Sequence, residues 1–155
     1  MLLRVRPATT RDVDVIVRVI NAAFVVERFF VDRDRTDAES VHALLAKGEF
    51  LVGEDPTHRI VACVYTERRG DAGYFGLLSV VPECKRRGYG RQLIEVVETQ
   101  FRRAGCRQVD IRVVNLRSEL PPIYRRLGYV ERGIEPFEDP RALRPCHFIL
   151  MSKPL

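Results

Sequence analysis

The amino-acid sequence predicts one domain of the mixed α/β class, of the α+β type. Its 155 residues suffice for a single core without disulfides or metal, and 46% hydrophobic with 30% charged residues is typical of a soluble globular protein. Segments with apolar residues at helical spacing are interspersed with short alternating or continuously apolar runs, as in strands. Because no repeat, linker or low-complexity tract interrupts this order, we predict a single domain over residues 1–155.

The chain begins with a predicted strand and a predicted helix. Residues 2–6 form a short strand that ends at Pro7. Thr9 or Thr10 then suits the N-cap of a helix, because a hydroxyl side chain accepts a hydrogen bond from a first-turn N–H group. The apolar residues of this helix share one face: Val13, Ile16, Val17, Ile20 and Phe24.

A second helix is predicted over residues 36–48, after a charged connection over residues 24–35. Thr36 and Glu39 have the spacing of a capping box, and Gly48 suits the C-terminal cap. The apolar face of this helix is formed by Val41, Leu44 and Leu45.

Three strands follow in direct succession, over residues 49–54, 59–67 and 73–81. The turn DPTH joins the first two, and Pro82 stops the third. The remaining elements, in chain order, are a helix over residues 89–104 closed by Gly105, a strand over 107–115, a short helix over 120–128, and strands over 129–133 and 146–153.

The composition excludes several kinds of location and site. No apolar run is long enough to span a membrane, and the N-terminus lacks the features of a signal peptide, so we expect a cytoplasmic protein without a membrane partner. The cysteines form no C-x-x-C pair and the histidines lack metal-ligand spacing, which predicts reduced thiols and no metal. The residues concerned are Cys63, Cys84, Cys106, Cys146, His42, His58 and His147.

The densest cluster of positive charge is KRRGYGRQL, residues 85–93, where four cations surround two glycines at a predicted helix start. The N–H groups of a first helical turn prefer an anion, so this arrangement is unfavourable unless an anion binds. The segment matches neither a Walker P-loop nor a dinucleotide-binding fingerprint. Glycines that let a phosphate approach the backbone, with arginines that neutralise it, instead predict a pyrophosphate-bearing ligand.

This region resembles a known family. Residues 79–94, SVVPECKRRGYGRQLI, are similar to the acetyl-CoA-binding motif of GNAT-superfamily N-acetyltransferases, whose consensus is Arg or Gln, two residues, Gly, one residue, and Gly or Ala. Two more features fall in family order: Asn115 at the end of the next strand, and IYRRLGYV over residues 123–130. Lys85 departs from the consensus, because lysine keeps the charge but loses the planar fork of arginine.

The resemblance implies a central, mixed, mostly antiparallel and splayed sheet of about seven strands, flanked by four helices. It also implies an acyltransferase that moves an acetyl group from acetyl-CoA to a primary amine by direct attack in a ternary complex. We expect a small-molecule acceptor, because the sequence contains no added domain to hold a larger one. A homodimer is compatible with the resemblance.

The resemblance also assigns roles to residues. The backbone N–H groups of residues 86–91 are expected to hold the pyrophosphate, and the main chain of the third consecutive strand to hold the pantetheine arm and the thioester carbonyl. Tyr124 is the expected catalytic residue, a phenol that protonates the departing thiolate. The implied cofactor-binding residues are Leu78, Ser79, Val80, Lys85, Arg86, Arg87, Gly88, Tyr89, Gly90, Arg91 and Asn115.

The sequence does not identify the general base or the acceptor. The connection over residues 24–35 and the segment over residues 133–145 are expected to wall the acceptor site. The candidates for the base are Glu27, Asp32, Glu67 and Tyr74. The expected acceptor-binding residues are Glu27, Phe29, Phe30 and Tyr74, since acids beside aromatic rings suit a cationic amine with an apolar body.

Two other function classes stay open. A catalytically degenerate relative would bind or sense acyl-CoA without turnover, and a protein or peptide N-acetyltransferase would use the same chemistry on a larger acceptor. We do not expect a nucleic-acid partner, because the arginines come without an aromatic stacking pattern or a known nucleic-acid motif.

Overall fold

A computed structural model describes residues 2–155, and in this range the chain forms seven strands and four helices. The strands are β1 (Arg4–Pro7), β2 (Glu49–Glu54), β3 (Ile60–Arg69), β4 (Ala72–Val80), β5 (Gln108–Val114), β6 (Val130–Pro136) and β7 (His147–Pro154). The helices are α1 (Val13–Ala23), α2 (Ala38–Leu45), α3 (Tyr89–Arg103) and α4 (Leu120–Arg126). Each predicted element is present, with small shifts at the ends.

The strands form one sheet in the order β1-β2-β3-β4-β5-β7-β6. The neighbours β4 and β5 are parallel, and every other neighbouring pair is antiparallel. The predicted fold class, a mixed and mostly antiparallel sheet flanked by four helices, is therefore confirmed.

The parallel pair is incomplete. Residues 72–74 of β4 lie opposite residues 108–110 of β5, and no further pairs follow, although β4 continues to Val80 and β5 to Val114. The two strands diverge beyond this point, which is the splay expected from the sequence. The later part of β4 therefore has only β3 as a neighbour, and one edge of its main chain faces a gap.

A bulge bends β4 at the start of this gap. Tyr65 of β3 lies opposite Gly76, and Cys63 lies opposite Ser79, so two residues of β4 oppose one of β3 between these pairs. Within the bulge Leu77 has a φ of 54°, a left-handed conformation that costs energy in a residue other than glycine. Because a bulge sharpens the local twist, this one turns the end of β4 away from β5.

Helix α3 runs back along β4 and brings its start to the gap. Its buried face holds Leu93, Val97 and Phe101, as the periodicity predicts. Near its end, the ring of Phe101 fills the space beside Gly73, where an added Cβ would come within 2.4 Å of the ring. The end of α3 therefore lies against the start of β4. The start of α3 lies beside the last residues of β4.

The helix caps differ in part from those predicted. Thr9 caps the first helical turn, as expected, and shares a capping box with Asp12. The cap of α2 is Asp37, whose carboxylate accepts a hydrogen bond from the Ser40 N–H at 2.7 Å. The prediction of Thr36 is wrong, because Thr36 lies one residue before the cap with its own N–H bound to the Asn21 side chain.

Gly48 lies close after α2, but the prediction that it caps the helix is also wrong, since the C-cap is Ala46. Glycine is needed at this position for a different reason. An added Cβ would come within 2.3 Å of the Thr66 carbonyl oxygen of the neighbouring strand, and backbone does not yield to such a contact.

Candidate active site

The gap between β4 and β5 opens into a cavity of about 820 Å³. The end of β4, the end of β5, the turn before α3 and one face of α4 form its walls. The segment that follows α1 and the chain between β6 and β7 close its other end. Residues from six separate parts of the chain therefore meet at the point where the sheet splays.

The basic turn has the backbone conformation that its glycine suggests. Gly88 is the N-cap of α3 with φ of 80°, and Arg86 also has a positive φ, of 65°. Among the described residues no side chain caps α3, and its first turn contains no acid. The first N–H groups of the helix therefore keep their positive potential without an internal anion.

Gly90 lies at the point where the helix meets the strand. An added Cβ at Gly90 would lie 3.9 Å from the side chains of Leu78 and Val80, which is an ordinary contact. Packing within the chain therefore does not require a glycine here. Since Gly90 lines the cavity, its missing side chain leaves room for a bound group beside the helix backbone.

Some of the predicted cofactor-binding residues line this cavity, and others lie beside it. The cavity is lined by Leu78, Val80, Lys85, Arg86, Gly88, Tyr89 and Gly90. Ser79 is buried, and its hydroxyl donates to the Leu77 carbonyl oxygen at 2.8 Å. The Arg87 guanidinium lies 3.7 Å from the Cys84 sulfur, and Arg91 lines a smaller, adjacent pocket of about 380 Å³ between α3 and α4.

Tyr124 reaches the cavity from α4. Its side chain is 8% exposed and packs against the rings of Phe75 and Tyr129, with centroid distances of 6.3 and 5.6 Å. Burial raises the pKa of Tyr124 to about 12. The phenol therefore stays protonated at neutral pH, and no described residue is hydrogen-bonded to its hydroxyl.

Tyr74 lies on β4 at the last residue that pairs with β5. The guanidinium of Arg69 stacks on its ring at 3.9 Å from the centroid. Its hydroxyl extends over Gly76, where an added Cβ would come within 2.6 Å of the oxygen. A glycine two residues along the strand thus makes room for a second phenol in the cavity wall. The charge of Tyr74 also influences the pKa of Tyr124.

Glu27 is the buried carboxylate of the cavity. It lies in a short 3-10 helix after α1, is 6% exposed, and accepts a hydrogen bond from Arg117 at 2.9 Å. Burial raises the pKa of Glu27, and the charges of Arg117, Arg35 and Arg33 act against this rise without cancelling it. Glu27 is therefore a weaker acid, and a stronger base, than an exposed glutamate.

The two segments predicted to wall an acceptor site lie against each other. Val31 pairs with Ala142 in an isolated bridge, and the Leu143 N–H donates to the Phe30 carbonyl oxygen at 2.7 Å. An ion pair between Arg33 and Asp139 joins the same segments. Arg33, Asp139 and Glu27 all line the cavity, so the joined segments form part of its wall, which is called the roof below.

Several predicted site residues lie elsewhere. Phe29 is 46% exposed, and Phe30 is fully buried in a small separate core cluster. Glu67 pairs with Arg69, and the Asn115 side-chain oxygen accepts a hydrogen bond from the His147 N–H at 2.8 Å. Among the described residues that line the cavity, neither these four nor Asp32 is found.

Sequence reasoning missed part of the cavity wall. It placed Phe24 and Arg35 in the connection expected to wall the acceptor site without naming either as a binding residue, and it gave no site role to Arg112 or Arg117. Arg117 follows the strand-end Asn115 by two residues, which is the one local signal that would have drawn attention to it. The other arginines enter the site through contacts between segments that are far apart in the sequence.

Two further findings concern other kinds of site. Over residues 2–155 no group of three or more histidine, cysteine, aspartate or glutamate side chains is arranged to hold a metal ion. Within the same range, no helix has the length and apolar character needed to cross a membrane.

Comparison with known families adds a sequence relationship. The family described as "Acetyltransferase (GNAT) domain" matches residues 46–131. This segment runs from just before β2 into β6 and includes the splay, the basic turn and Tyr124. No curated protein matches the chain in sequence.

Solved structures of N-acetyltransferases share the fold over nearly the whole chain. A ribosomal-protein-alanine N-acetyltransferase from Brucella melitensis has a TM-score of 0.80 at 18% identity, covering 99% of this chain and 100% of that one. A phosphinothricin acetyltransferase from Sinorhizobium meliloti in complex with AcCoA has a TM-score of 0.79 at 16% identity, covering 100% and 89%. The PaiA N-acetyltransferase from Thermoplasma acidophilum, in complex with coenzyme A, has a TM-score of 0.80 at 13% identity and full coverage of both chains.

The raised pKa of Tyr124 leads to a prediction about stability at high pH. An unfolded tyrosine loses its proton near pH 10, whereas Tyr124 in the folded chain keeps it to about 12. Between these values only the folded state binds the proton, so stability falls as pH rises. From neutral pH to pH 11, the wild type should lose about 1.4 kcal/mol of unfolding free energy relative to Tyr124→Phe. Urea denaturation of both proteins at each pH measures this difference. If the unfolding free energies of the two proteins change with pH in the same way, Tyr124 has the ordinary pKa of a tyrosine.

Proposed function

The chain belongs to the GNAT acetyltransferase family, and on this premise we propose that it transfers an acetyl group from acetyl-CoA to the primary amine of a small molecule. One observation carries the proposal: an uncapped helix N-terminus with a basic, glycine-containing turn lies at the mouth of the gap between β4 and β5. That gap is long, is open along one main-chain edge, and leads to a buried phenol and a buried carboxylate. We propose the whole chain as one N-acetyltransferase domain.

The residues present suit acetyl-CoA, which supplies an acetyl group activated as a thioester. The N–H groups at the start of α3, with Lys85 and Arg86 beside them, provide an anion site for a pyrophosphate. Gly90 leaves space for that group to approach the backbone. Lysine at position 85 keeps the positive charge but lacks the planar guanidinium of arginine. We therefore expect the pyrophosphate to be held more by main-chain N–H groups than by this side chain.

The open edge of β4 is proposed to bind the pantetheine arm. Its N–H and C=O groups beyond Tyr74 face the gap in place of a partner strand. The amides of an extended arm can take the position of such a strand, with Leu78 and Val80 along its path. N–H groups fixed in this way also bind the carbonyl oxygen on which negative charge develops during acyl transfer.

Tyr124 is proposed as the acid. A thiol comparable to cysteine has a pKa of about 8.5, so the departing sulfur gains from a hydrogen bond or a proton. The Tyr124 phenol is protonated at neutral pH and has no hydrogen-bond partner among the described residues. It is therefore free to donate toward the sulfur.

Glu27 is proposed to accept the proton that the amine must lose. It is the buried carboxylate in the roofed end of the cavity, and its raised pKa increases its basicity. The step balances as follows: the ammonium first gives one proton to water, and the neutral nitrogen forms a bond to the acetyl carbon while the carbon–sulfur bond breaks. Glu27 takes the second proton of the nitrogen directly or through water, and Tyr124 gives one to sulfur. Transfer of the proton from Glu27 through water to the Tyr124 phenolate restores both groups.

The roof over the acceptor end favours a small molecule as acceptor. The bridge of Val31 with Ala142 and the ion pair of Arg33 with Asp139 join two chain segments at this part of the cavity wall. A protein lysine or N-terminus would need an open groove there. The structural relatives include enzymes named for protein acceptors as well as others, so their fold does not decide the acceptor.

The alternative is a binding module that holds acyl-CoA without turnover. A panel of primary amines, assayed for release of free CoA thiol, separates the two functions. An enzyme releases thiol with at least one amine, whereas a pure binder shows a thermal shift with acetyl-CoA and no thiol. Acetylation of a peptide N-terminus but of no small amine would favour a protein acceptor.

The first prediction from the proposed function concerns Gly90. Gly90→Ala should fold with equal or greater stability, because its Cβ meets only ordinary contacts and alanine favours a helix by up to about 1 kcal/mol. Acetyl-CoA should nevertheless bind about 10-fold more weakly or worse, since the methyl group occupies the space of the ligand. Calorimetry measures the affinity, with Gly133→Ala as control because its site is open and lies on β6. Equal affinity of Gly90→Ala and wild type would remove the pyrophosphate from this turn.

The second prediction concerns Tyr124. Tyr124→Phe removes the hydroxyl and little volume, so acetyl-CoA affinity should stay close to wild type. The turnover number should fall on the order of 10²-fold if the general acid is lost. The loss should shrink with an acyl donor whose leaving thiol is more acidic, because that thiolate needs no proton. An undiminished turnover number would clear Tyr124 of a chemical role.

The third prediction concerns Glu27. Glu27→Gln keeps an acceptor for Arg117 but cannot take up a proton, so the turnover number at neutral pH should fall on the order of 10²-fold. The wild-type rate should decline toward acid pH as Glu27 becomes protonated, and its raised pKa places this decline above the usual range of glutamate. The variant should lack this limb. Glu67→Gln is the matched control, an ion-paired glutamate outside the cavity; a fall in rate with an unchanged pH profile would give Glu27 only a structural role.

A further inference from the structure

Arg35 is a charged side chain of the cavity wall that forms no ion pair with a described carboxylate. It is partly buried and lines the roofed end. Its guanidinium carbon lies 5.4 Å from the centroid of the Phe24 ring. Over residues 2–155 its guanidinium takes part in no hydrogen bond and no ion pair.

Three other arginines of the cavity wall each have a carboxylate partner, and a fourth, Arg86, belongs to the basic turn before α3. Arg117 binds Glu27 at 2.9 Å, and Arg112 binds Glu135 at 3.0 Å. Arg33 binds Asp139 in the roof. Outside the basic turn, Arg35 is therefore the arginine of the cavity wall that pairs with no described carboxylate.

The surroundings of Arg35 make its isolation costly. Burial and the positive charges of Arg33 and Arg112 lower the pKa of Arg35, although Glu27 and Tyr74 act in the opposite direction. Arginine stays protonated in proteins at neutral pH, so a full positive charge is held here. A desolvated cation is stabilised when an anion joins it.

The position of Arg35 relates it to the proposed chemistry. Tyr74 influences the electrostatics of both Arg35 and Tyr124, and Glu27 influences that of Arg35. Arg35, the proposed base and the proposed acid all line the same cavity. An acceptor in that space has its amine toward Glu27 and another part toward Arg35.

We propose that the acceptor is a small molecule that carries a carboxylate as well as its amine, and that Arg35 binds this carboxylate. This inference rests on the proposed acetyl transfer and names the class of acceptor. A guanidinium presents parallel N–H groups that match the two oxygens of a carboxylate, whereas a lysine in its place would offer a point charge. The acceptor class is thus that of amino acids, with a cationic amine and an anionic group in one molecule.

The experiment compares amines that differ only in the carboxylate. Wild type, Arg35→Met, Arg35→Lys and Arg28→Met are assayed for thiol release with the common amino acids and with their amides and decarboxylated amines. The wild type should prefer the amino acid of a pair, and Arg35→Met should lose this preference by about 10- to 100-fold in kcat/KM. Arg35→Lys should lose less. Arg28 is the matched control, because it lies in the same connection and pairs with Asp34 at the surface.

The preference within a pair does not depend on how much of a variant is folded, so a poorly folded Arg35→Met still gives an answer. Equal or better rates with amines that lack the carboxylate, in wild type, would overturn the inference. So would an amino-acid preference that survives in Arg35→Met.

A binding measurement separates failure of the inference from failure of the proposed function. No thiol release with any amine would contradict acetyl transfer. Saturation-transfer NMR on the protein with CoA then tests N-acetylated amino acids beside their neutral amides, which needs no turnover. Binding of the acids to wild type but not to Arg35→Met supports a carboxylate site at Arg35, and binding of neither, or of both equally, overturns it.

Discussion

The cavity beside β4 depends on the fact that β4 and β5 do not pair along their full length. Three residues of each strand are in register, and then the strands diverge. The bulge at Leu77 contributes to this divergence, because it twists the end of β4 and holds Leu77 in a left-handed conformation. A fully paired sheet would satisfy the main chain of β4 and leave no cavity. The unsatisfied edge, the space for a ligand and the position of the α3 N-terminus all follow from this one break in the sheet.

Two positive charges without internal partners lie at opposite ends of that space. At one end the N-terminus of α3 has a basic turn, no acidic first-turn residue and no side-chain cap among the described residues. At the other end Arg35 lies among arginines that are already paired. Folding alone would favour neutralising both, since isolated cations and free helix N-termini are unfavourable. Their persistence within one cavity indicates ligands with negative charge at both ends, which suits a pyrophosphate on one side and an acidic acceptor on the other.

The sequence predicted the elements of the fold well, because each has a strong local pattern. The apolar face of α3 and the turn at Gly88 are examples, since both depend on neighbours within a few residues. Local chemistry was less decisive at α2, where Thr36 and Asp37 both offer a capping oxygen. The Thr36 N–H donates to the Asn21 side chain, and the Asp37 carboxylate caps the helix. The acceptor end was the least predictable. The pairing of Glu27 with Arg117 joins residues 90 positions apart, and it is the pairing of its neighbours that leaves Arg35 free.

Burial has opposite consequences for the two groups proposed to move protons. A phenol and a carboxylic acid both become weaker acids when their charged forms lose contact with water. For Tyr124 this change keeps the proton in place at neutral pH, so the group stays a donor. For Glu27 the same change makes the carboxylate a better acceptor, while the charge of Arg117 keeps the pKa from rising further. Both side chains line the same cavity, so burial in this one place favours the proposed acid and the proposed base together.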